Sequence, residues 1–522
     1  MGNLDSKGAI VLLREHCDRV NEVVKRDDIR GVYGKDIDCA FARRLGRALA
    51  VTFRQATAVL PVNVVVGHDM RLSGPALAEA VADGLEAGGC RAIRMGLAGT
   101  ELVGFLPAHY SDVIDGGVMI TASHNPADNN GFKFFGRCGQ PLPLARDFVP
   151  PLPEDELLRV ALAVKKSSIP RHLGWKDFAP DYIRTAIEKG SLDLARAAQG
   201  ASAPLRVAVE AGNGMGAVIA REVAALTPEF SWTFSNATPD GRFPKIVPNP
   251  LKPEYQAMVA ELVRKSGAHV GLCFDGDADR VALADENGEM VSPPLLATLV
   301  GMRLREKLGV AEKIAHNLSS SWVVADTLGD RNNVTGDGPT VISAVGYSKI
   351  KVLLHNRPDI AFAAEHSGHY MFRDFYCADS GMLAALIMLE VAAELHARGE
   401  PLSSALTGLR GRYYESGELN FRLPEGRSVE GLIAQAVEAF RDEAVNIYAT
   451  GEGGVEKIDT YPPPFAQAGA DVRFEAKDWW FVMRASGTES ICRLCIEADA
   501  DRALMERKRD ALVRIIGPEL QI

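Results

Sequence analysis

Three carboxylates stand at every second position in the stretch 271–280, Gly-Leu-Cys-Phe-Asp-Gly-Asp-Ala-Asp-Arg: Asp275, Asp277 and Asp279. At ~4–5 Å and an effective dielectric of ~20, each such pair repels by roughly 3–4 kcal/mol. Carboxylates that converge therefore need a cation, and oxygen-only ligands favour Mg²⁺, Mn²⁺ or Ca²⁺ over zinc. Arg280 follows at once. A metal beside a guanidinium is a setting prepared for phosphate. Two other readings compete. The spacing of Asp275, Asp277, Asp279 and Glu286 fits an EF-hand loop, but Arg280 stands where that loop needs glycine. A solvated acidic turn is the plainer alternative.

Three further loops carry side chains of chemical use. Thr121-Ala122-Ser123-His124-Asn125-Pro126 places a hydroxyl beside an imidazole. Pro126 stops a helix, so Ser123 is expected on a rigid, exposed elbow next to His124. An ordinary polar turn is the alternative, and the absence of G-x-S-x-G argues against a serine hydrolase. Lys133 follows as a single cation between aromatics. Glu365-His366-Ser367-Gly368-His369 combines acid, hydroxyl and imidazole, a set suited to binding a polyol and moving a proton. Arg484-Ala485-Ser486-Gly487-Thr488-Glu489-Ser490 can wrap a phosphate with side-chain and backbone donors, with Arg493 adding to it. A hairpin turn with an incidental arginine is the alternative there. Gly212, Gly214 and Ala217 fit a dinucleotide-binding fingerprint after a strand. The acid expected about 20 residues on is not clear, and a tight turn packing helix on strand accounts for the glycines.

The elements that position these loops read from apolar runs. Strands are predicted at 62–66, 91–96, 117–120, 205–209, 270–274, 281–284, 314–318, 360–364 and 479–483. Helices are predicted at 75–87, 101–111, 181–189, 295–307 and 381–395, with others near 322 and after 346. The alternation predicts α/β, and mixed strands and helices beyond 401 predict an α+β end. Residues 1–25 read as a helical lead-in, 140–175 as a linker and 461–465 as a rigid loop. Ligands of α/β sheets bind beyond the carboxyl ends of strands. Four such ends facing one cleft would suit a phosphorylated sugar.

Composition narrows the class. A chain of 522 residues exceeds one core, and three or four domains are expected. Net charge of −10 argues against non-specific nucleic-acid binding, so an anionic substrate would need a local positive field. Eight dispersed cysteines do not suggest a disulfide framework. Cys492 and Cys495 fall in a predicted strand on opposite faces and read as packing. No signal peptide or membrane span is visible, and a cytoplasmic location is expected.

Taken in order, these four motifs resemble the α-D-phosphohexomutase family, in particular its bacterial phosphomannomutase/phosphoglucomutase members. Thr121 to Pro126 is similar to the phosphoserine loop, Asp275 to Arg280 to the metal loop, Glu365 to His369 to the sugar loop and Arg484 to Glu489 to the phosphate loop. Asp28-Ile29-Arg30-Gly31, Pro239-Asp240-Gly241 and Pro248-Asn249-Pro250 also resemble family segments. The resemblance implies four domains around a central cleft, three related α/β mixed-sheet domains and a C-terminal α+β domain. In this chain they are expected at 1–172, 173–290, 291–405 and 406–522.

By resemblance, Ser123 carries a phosphoryl group, and Ser123, Asp275, Asp277 and Asp279 hold Mg²⁺. His124, Lys133, Arg280 and His369 join in catalysis. Arg30, Lys351, Glu365, Ser367, Arg484, Ser486, Gly487, Thr488 and Arg493 bind substrate. The reaction implied is exchange of hexose 1-phosphate and 6-phosphate through hexose 1,6-bisphosphate, by a monomer or homodimer acting on small sugar phosphates with no nucleic-acid or membrane partner. Gly346 to Lys351 and Tyr370 to Ser380 point to mannose and glucose phosphates, while Asn130 to Phe135 and Arg484 to Glu489 also resemble phosphoglucosamine mutase. A metal-dependent sugar-phosphate phosphatase and a non-catalytic binding paralogue remain as other classes. Three family-typical residues are replaced, by Asp27, Asn129 and Ser490.

Overall fold

Short apolar runs form the strands, and those at Gly116–Ile120, Val270–Phe274 and Ile360–Ala364 each give way at once to a polar residue, Thr121, Asp275 and Glu365. The computed structural model describes residues 23, 28–57, 59–137, 166–334, 338–424, 426–451, 454–458, 471–485 and 491–522. Apart from Val23, which is helical, the expected lead-in lies outside the described residues, as do most of the expected linker and the 461–465 loop. Two compact units are formed, one by residues 1–291 with 371–402 and the other by 292–370 with 403–522.

In the first unit, β1 (Ile29–Val32), β2 (Asn63–His68), β3 (Arg91–Leu97), β4 (Gly116–Ile120) and β5 (Asn129–Gly136) make a five-stranded sheet of order β1-β5-β4-β2-β3. β2 is parallel to both β3 and β4, and β5 is antiparallel to β4. Helices Cys39–Gln55 and Gly74–Ala87 pack on it through Phe41, Leu45, Leu49, Leu77, Val81 and Leu85. They approach closely because Gly46 and Gly84 have no side chain: a Cβ on Gly84 would lie 2.2 Å from the Arg43 carbonyl oxygen. A second sheet contains β6 (Leu205–Glu210), β7 (Phe230–Ser235), β8 (Val270–Phe274), β9 (Val281–Ala284) and β10 (Met290–Val291), in the order β10-β9-β8-β6-β7.

A third five-stranded sheet follows. Its parallel strands β11 (Lys313–Asn317), β12 (Thr340–Ser343) and β13 (Ile360–Ala364), in the order β12-β11-β13, belong to the second unit. Its antiparallel strands β14 (Tyr370–Phe372) and β15 (Ala378–Asp379) pair Met371 with Asp379. The second unit also holds the antiparallel C-terminal sheet: β16 (Tyr413–Glu415), β17 (Leu419–Arg422), β18 (Asn446–Gly451), β19 (Gly454–Lys457), β20 (Val472–Glu475), β21 (Trp479–Ala485) and β22 (Ile491–Asp499). Phe474, Trp479 and Phe481 pack under helices Val429–Ala439 and Arg502–Ile516. The architecture is therefore α/β, with three mixed five-stranded sheets and a C-terminal α+β part. Cys492 and Cys495 both lie in β22 as free, buried thiols.

The expected strands are all present, those at 270–274, 281–284 and 360–364 with the expected ends and the others with ends moved by at most two residues. The Gly212 turn also finds its reason. A Cβ on Gly214 would lie 3.0 Å from the Gly276 carbonyl oxygen, and the Met215 amide donates to that same oxygen at 2.9 Å. These glycines bring a helix start against the Asp275–Arg280 loop, and packing accounts for them.

One buried acid ties three helices of the first unit together. Glu101, near the start of helix Thr100–His109, accepts from the Tyr182 hydroxyl, the Ser380 hydroxyl (2.8 Å) and the Met382 amide (3.1 Å). Tyr182 lies in helix Ala179–Lys189, while Ser380 caps helix Gly381–Ala397 and Met382 lies in its first turn. Burial pushes the Glu101 carboxyl up to about 8, against the three donors that favour its charged form. An unfolded glutamate titrates near ~4.3, so between these values the folded state holds the extra proton and stability falls as pH rises. We expect the thermal midpoint of the wild-type chain to fall more steeply from pH 5 to pH 8 than that of Glu101→Gln. The difference should be on the order of a few kcal/mol across the window; parallel pH profiles for the two proteins would contradict it.

Candidate functional site

The first unit brings the serine and aspartate loops into contact. β4 delivers Thr121 to Pro126 and β8 delivers Asp275 to Arg280, each at its carboxyl end. The Ser123 hydroxyl donates to Asp275 Oδ2 at 2.6 Å, and His124 Nδ1 lies 3.1 Å from the same hydroxyl. Close approach depends on glycine: a Cβ on Gly276 would stand 2.5 Å from the Ser123 carbonyl oxygen. Ser123 has φ 51°, a left-handed backbone that non-glycine residues adopt only where surroundings impose it. The elbow is thus real, but the expectation that it is exposed is overturned. Ser123 is fully buried, because Gly276 packs against the loop at the Ser123 carbonyl and Arg71 donates to that same oxygen.

All three aspartates are buried, and each offers an oxygen within 4.8 Å of the others. Lys133, on β5, donates to Asp277 Oδ2 at 2.7 Å and to Asp279 Oδ2 at 2.5 Å. Thr100 donates its hydroxyl to Asp277 Oδ2 at 2.5 Å and its amide to the Asp277 carbonyl at 3.0 Å. The Arg280 guanidinium stands 3.6 Å from Asp275, and its backbone amide donates to the Asp275 carboxylate at 3.3 Å. Burial, then the charges of Asp279 and Asp277, push the Asp275 carboxyl up to about 8. Although burial and Asp279 oppose it, the Lys133 ammonium with the Thr100 hydroxyl holds Asp277 below the usual carboxylate range. The two aspartates in turn overcome burial and hold Lys133 protonated. This donor set fits a hard divalent cation. It is all oxygen, its three carboxylates when all ionised carry more negative charge than Lys133 and Arg280 balance, and Asp277 Oδ1 is buried with no hydrogen-bond partner. Arg30, on β1, donates to Asn125 Oδ1 at 3.0 Å and pairs with Asp28 at 2.7 Å, which places it against the serine loop.

The second unit holds the other candidates. β13 delivers Glu365 to His369. Glu365 Oε1 accepts from the Gly346 amide (2.9 Å) and Asn317 (3.1 Å), and its Oε2 lies 3.1 Å from His369 Nδ1. Ser367 Oγ lies 3.0 Å from that nitrogen. Burial would raise the Glu365 carboxyl, yet the His369 hydrogen bond and charge hold it well below its usual value. Lys351 is buried 5.2 Å from the centre of the Tyr347 ring, in the helix that Gly346 starts. Arg484 and Arg493 face each other across the β21–β22 hairpin. Like charges in that position repel, and Glu418 bridges them, at 2.5 Å from Arg484 and 3.0 Å from Arg493. Ser486, Gly487 and Thr488 lie outside the described residues.

Three residues escaped the sequence reading: Arg71 and Thr100 in the first unit and Glu418 in the second. Asp69-x-Arg71 at the end of β2 was the available signal, an acid and a base on a strand exit loop. Thr100 and Glu418 carry none beyond residue type.

Comparison with known proteins places this architecture. The phosphoglucomutase/phosphomannomutase α/β/α domains I, II and III match residues 21–148, 180–288 and 295–413, and the C-terminal domain of that family matches 418–515. A phosphomannomutase of Salmonella montevideo is 30% identical over 506 residues, covering 94% of this chain and 98% of the relative. Phosphohexose mutases of Xanthomonas campestris pv. campestris are 30% identical over 494 residues, with the same coverage. A phosphoglucomutase/phosphomannomutase family structure from Burkholderia thailandensis shares the fold at TM-score 0.69 and 24% identity, covering 95% of this chain and 97% of that one. Paramecium phosphoglucomutase in its open form does so at TM-score 0.64 and 16% identity, covering 90% of each. The class defined is a mutase, an enzyme of phosphotransferase type. The chain belongs to the phosphoglucomutase/phosphomannomutase family. No helix among the described residues is long and apolar enough to cross a membrane.

A divalent cation must displace protons from carboxyls held as Asp275 is. Calorimetric titration with Mg²⁺ in buffers of different ionisation enthalpy should show proton release, with affinity rising from pH 6 to pH 8. Binding that neither releases protons nor changes over that range would contradict the assignment of Asp275 as a ligand.

Proposed function

We propose that this mutase exchanges the 1- and 6-phosphates of a hexose, mannose or glucose, with Ser123 as the phosphoryl carrier and hexose 1,6-bisphosphate as the intermediate. One observation carries the reading: a serine hydroxyl on a left-handed elbow, held 2.6 Å from an aspartate of a buried three-carboxylate loop. Serine in that position is oriented for transfer and shielded from water. The assignment of domains to 1–172, 173–290, 291–405 and 406–522 belongs to the same reading.

Mg²⁺, which Asp275, Asp277 and Asp279 would hold with Ser123, supplies positive charge beside a phosphoryl group. The chain's own residues do the rest. The free sugar hydroxyl attacks phosphorus and loses its proton, while the bond from phosphorus to Ser123 Oγ breaks and that oxygen regains a proton. Arg280 and Lys133 balance charge that develops on the phosphoryl oxygens. Lys133, held protonated on two aspartates, is suited first to charge balance, and His369, oriented by Glu365 and Ser367, is the better group to move a proton. Glu365 and Ser367 bind sugar hydroxyls; Arg484, Ser486, Gly487, Thr488 and Arg493 grip the phosphate that is not reacting, with Lys351 and Arg30 adding positive field. His124 orients the Ser123 hydroxyl. The bisphosphate then turns end for end and returns its other phosphoryl group to Ser123.

The test is ³¹P NMR with Mg²⁺, mannose 1-phosphate and a trace of glucose 1,6-bisphosphate. Conversion to the 6-phosphate without inorganic phosphate is expected, and Ser123→Ala should abolish it while sugar-phosphate binding survives. Accumulating inorganic phosphate would mean a phosphatase. Much faster turnover of glucosamine 6-phosphate than of mannose 6-phosphate would replace the substrate assignment with phosphoglucosamine mutase.

A further inference from the structure

The loop that presents Ser123 contains no glycine between Thr121 and Asn130, yet it holds a left-handed serine and turns twice. Something outside the loop must fix it. Arg71, on the exit loop of β2, is fully buried beneath it and places every one of its five side-chain N–H groups. Nε donates to Asp69 Oδ2 at 3.2 Å. One terminal nitrogen donates to the carbonyls of Pro126 (2.5 Å) and Asn129 (2.8 Å), the other to those of Ser123 (2.8 Å) and Asn125 (2.7 Å). Four carbonyls of one seven-residue stretch thus converge on a single planar fork, a geometry that a lysine ammonium cannot reproduce.

The fork is itself fixed. Asp69 Oδ1 accepts from the Arg71 amide at 2.9 Å, while Oδ2 accepts from Thr121 Oγ1 at 2.7 Å. Thr121 Oγ1 in turn accepts from the Ser123 amide at 2.9 Å. From the other side, the Asp240-Gly241-Arg242-Phe243 turn closes over Arg71. The Phe243 ring centre lies 5.3 Å from the guanidinium carbon. A Cβ on Gly241 would stand 2.4 Å from the Met70 carbonyl oxygen and 2.6 Å from the Arg71 Cα. This is the Pro-Asp-Gly segment for which the reaction otherwise has no use.

We propose that Arg71 is a positioning residue for phosphoryl transfer. Its guanidinium sets the backbone of residues 123–129 and so aims Ser123 Oγ, and the Gly241 turn holds it in place. The proposal rests on the reading of Ser123 as phosphoryl carrier. Arg71 touches neither the serine hydroxyl nor any carboxylate of the aspartate loop in these contacts, so its removal acts on the aim of the hydroxyl and breaks none of the hydrogen bonds that hold Glu365 and Ser367.

The experiment compares full-length wild type, Arg71→Lys, Gly241→Ala and Ser123→Ala, with folding checked by thermal melting. It measures kcat and KM for mannose 1-phosphate and the rate at which ³²P-labelled glucose 1,6-bisphosphate labels the protein. A misplacement of about 1 Å at a reacting group costs roughly 10²-fold, so Arg71→Lys should lose about that factor in kcat and in labelling rate, with KM little changed. Gly241→Ala, which keeps every donor of Arg71, should lose roughly tenfold in the same two quantities by the same argument. A folded Arg71→Lys with wild-type kcat, or a loss confined to KM, would overturn the proposal. Should Arg71→Lys not fold, Gly241→Ala decides alone, and unchanged kcat and labelling in it overturn the proposal. An unlabelled wild type together with an active Ser123→Ala is a separate failure: it removes the carrier reading and this proposal with it.

Discussion

Burial of three carboxylates on one six-residue loop is the constraint from which the first unit is built. Charges so placed cannot be left to water, and each neighbour answers part of the problem. Lys133 supplies one positive charge to Asp277 and Asp279, and Thr100 adds a hydroxyl. Burial and the charges of Asp279 and Asp277 push the Asp275 carboxyl up to about 8. Glycines at 214 and 276 let backbone approach where side chains would not fit. Because the loop is so thoroughly surrounded, the serine that meets it must also be buried and must be aimed from beneath, which is where Arg71 lies.

The same placement recurs through the chain. In each of the first two sheets, two parallel strands flank a central one, and a loop joins the third parallel strand to an antiparallel neighbour. β4 and β5 enclose the serine loop, β8 and β9 the aspartate loop. In the second unit β13 is again the third parallel strand, and its exit carries Glu365 to His369. One structural position, used three times, thus presents three different chemistries, as expected for carboxyl ends in open α/β sheets. In the C-terminal sheet two arginines oppose each other across β21 and β22, and Glu418 bridges them and offsets their repulsion.

Much of this was legible in the residues. Apolar runs marked the strands to within a few positions, since buried strands must be continuous in hydrophobicity. The loop from Asp275 to Arg280 pointed to a cation site through the spacing of its carboxylates and the arginine beside them, with an EF-hand and a solvated acidic turn as the competing readings. The threefold recurrence was not visible, because it lies in strand order and not in residue identity. Burial of Ser123 was missed for a related reason: polar turn residues normally face water, and only the packing of Gly276 shows otherwise. Arg71 looked like one more loop arginine. Its importance lies in four backbone carbonyls, and carbonyls leave no trace in sequence.

The central claim is that Ser123 carries the phosphoryl group during turnover. Intact-mass spectrometry of the purified protein, before and after incubation with excess glucose 1,6-bisphosphate and then with excess hexose 6-phosphate, tests it most directly. The account predicts gain of one phosphoryl mass in the first step and its loss in the second, mapped to Ser123 by peptide fragmentation and absent from Ser123→Ala. Full mutase turnover with no phosphorylated species at Ser123 in either step would contradict it.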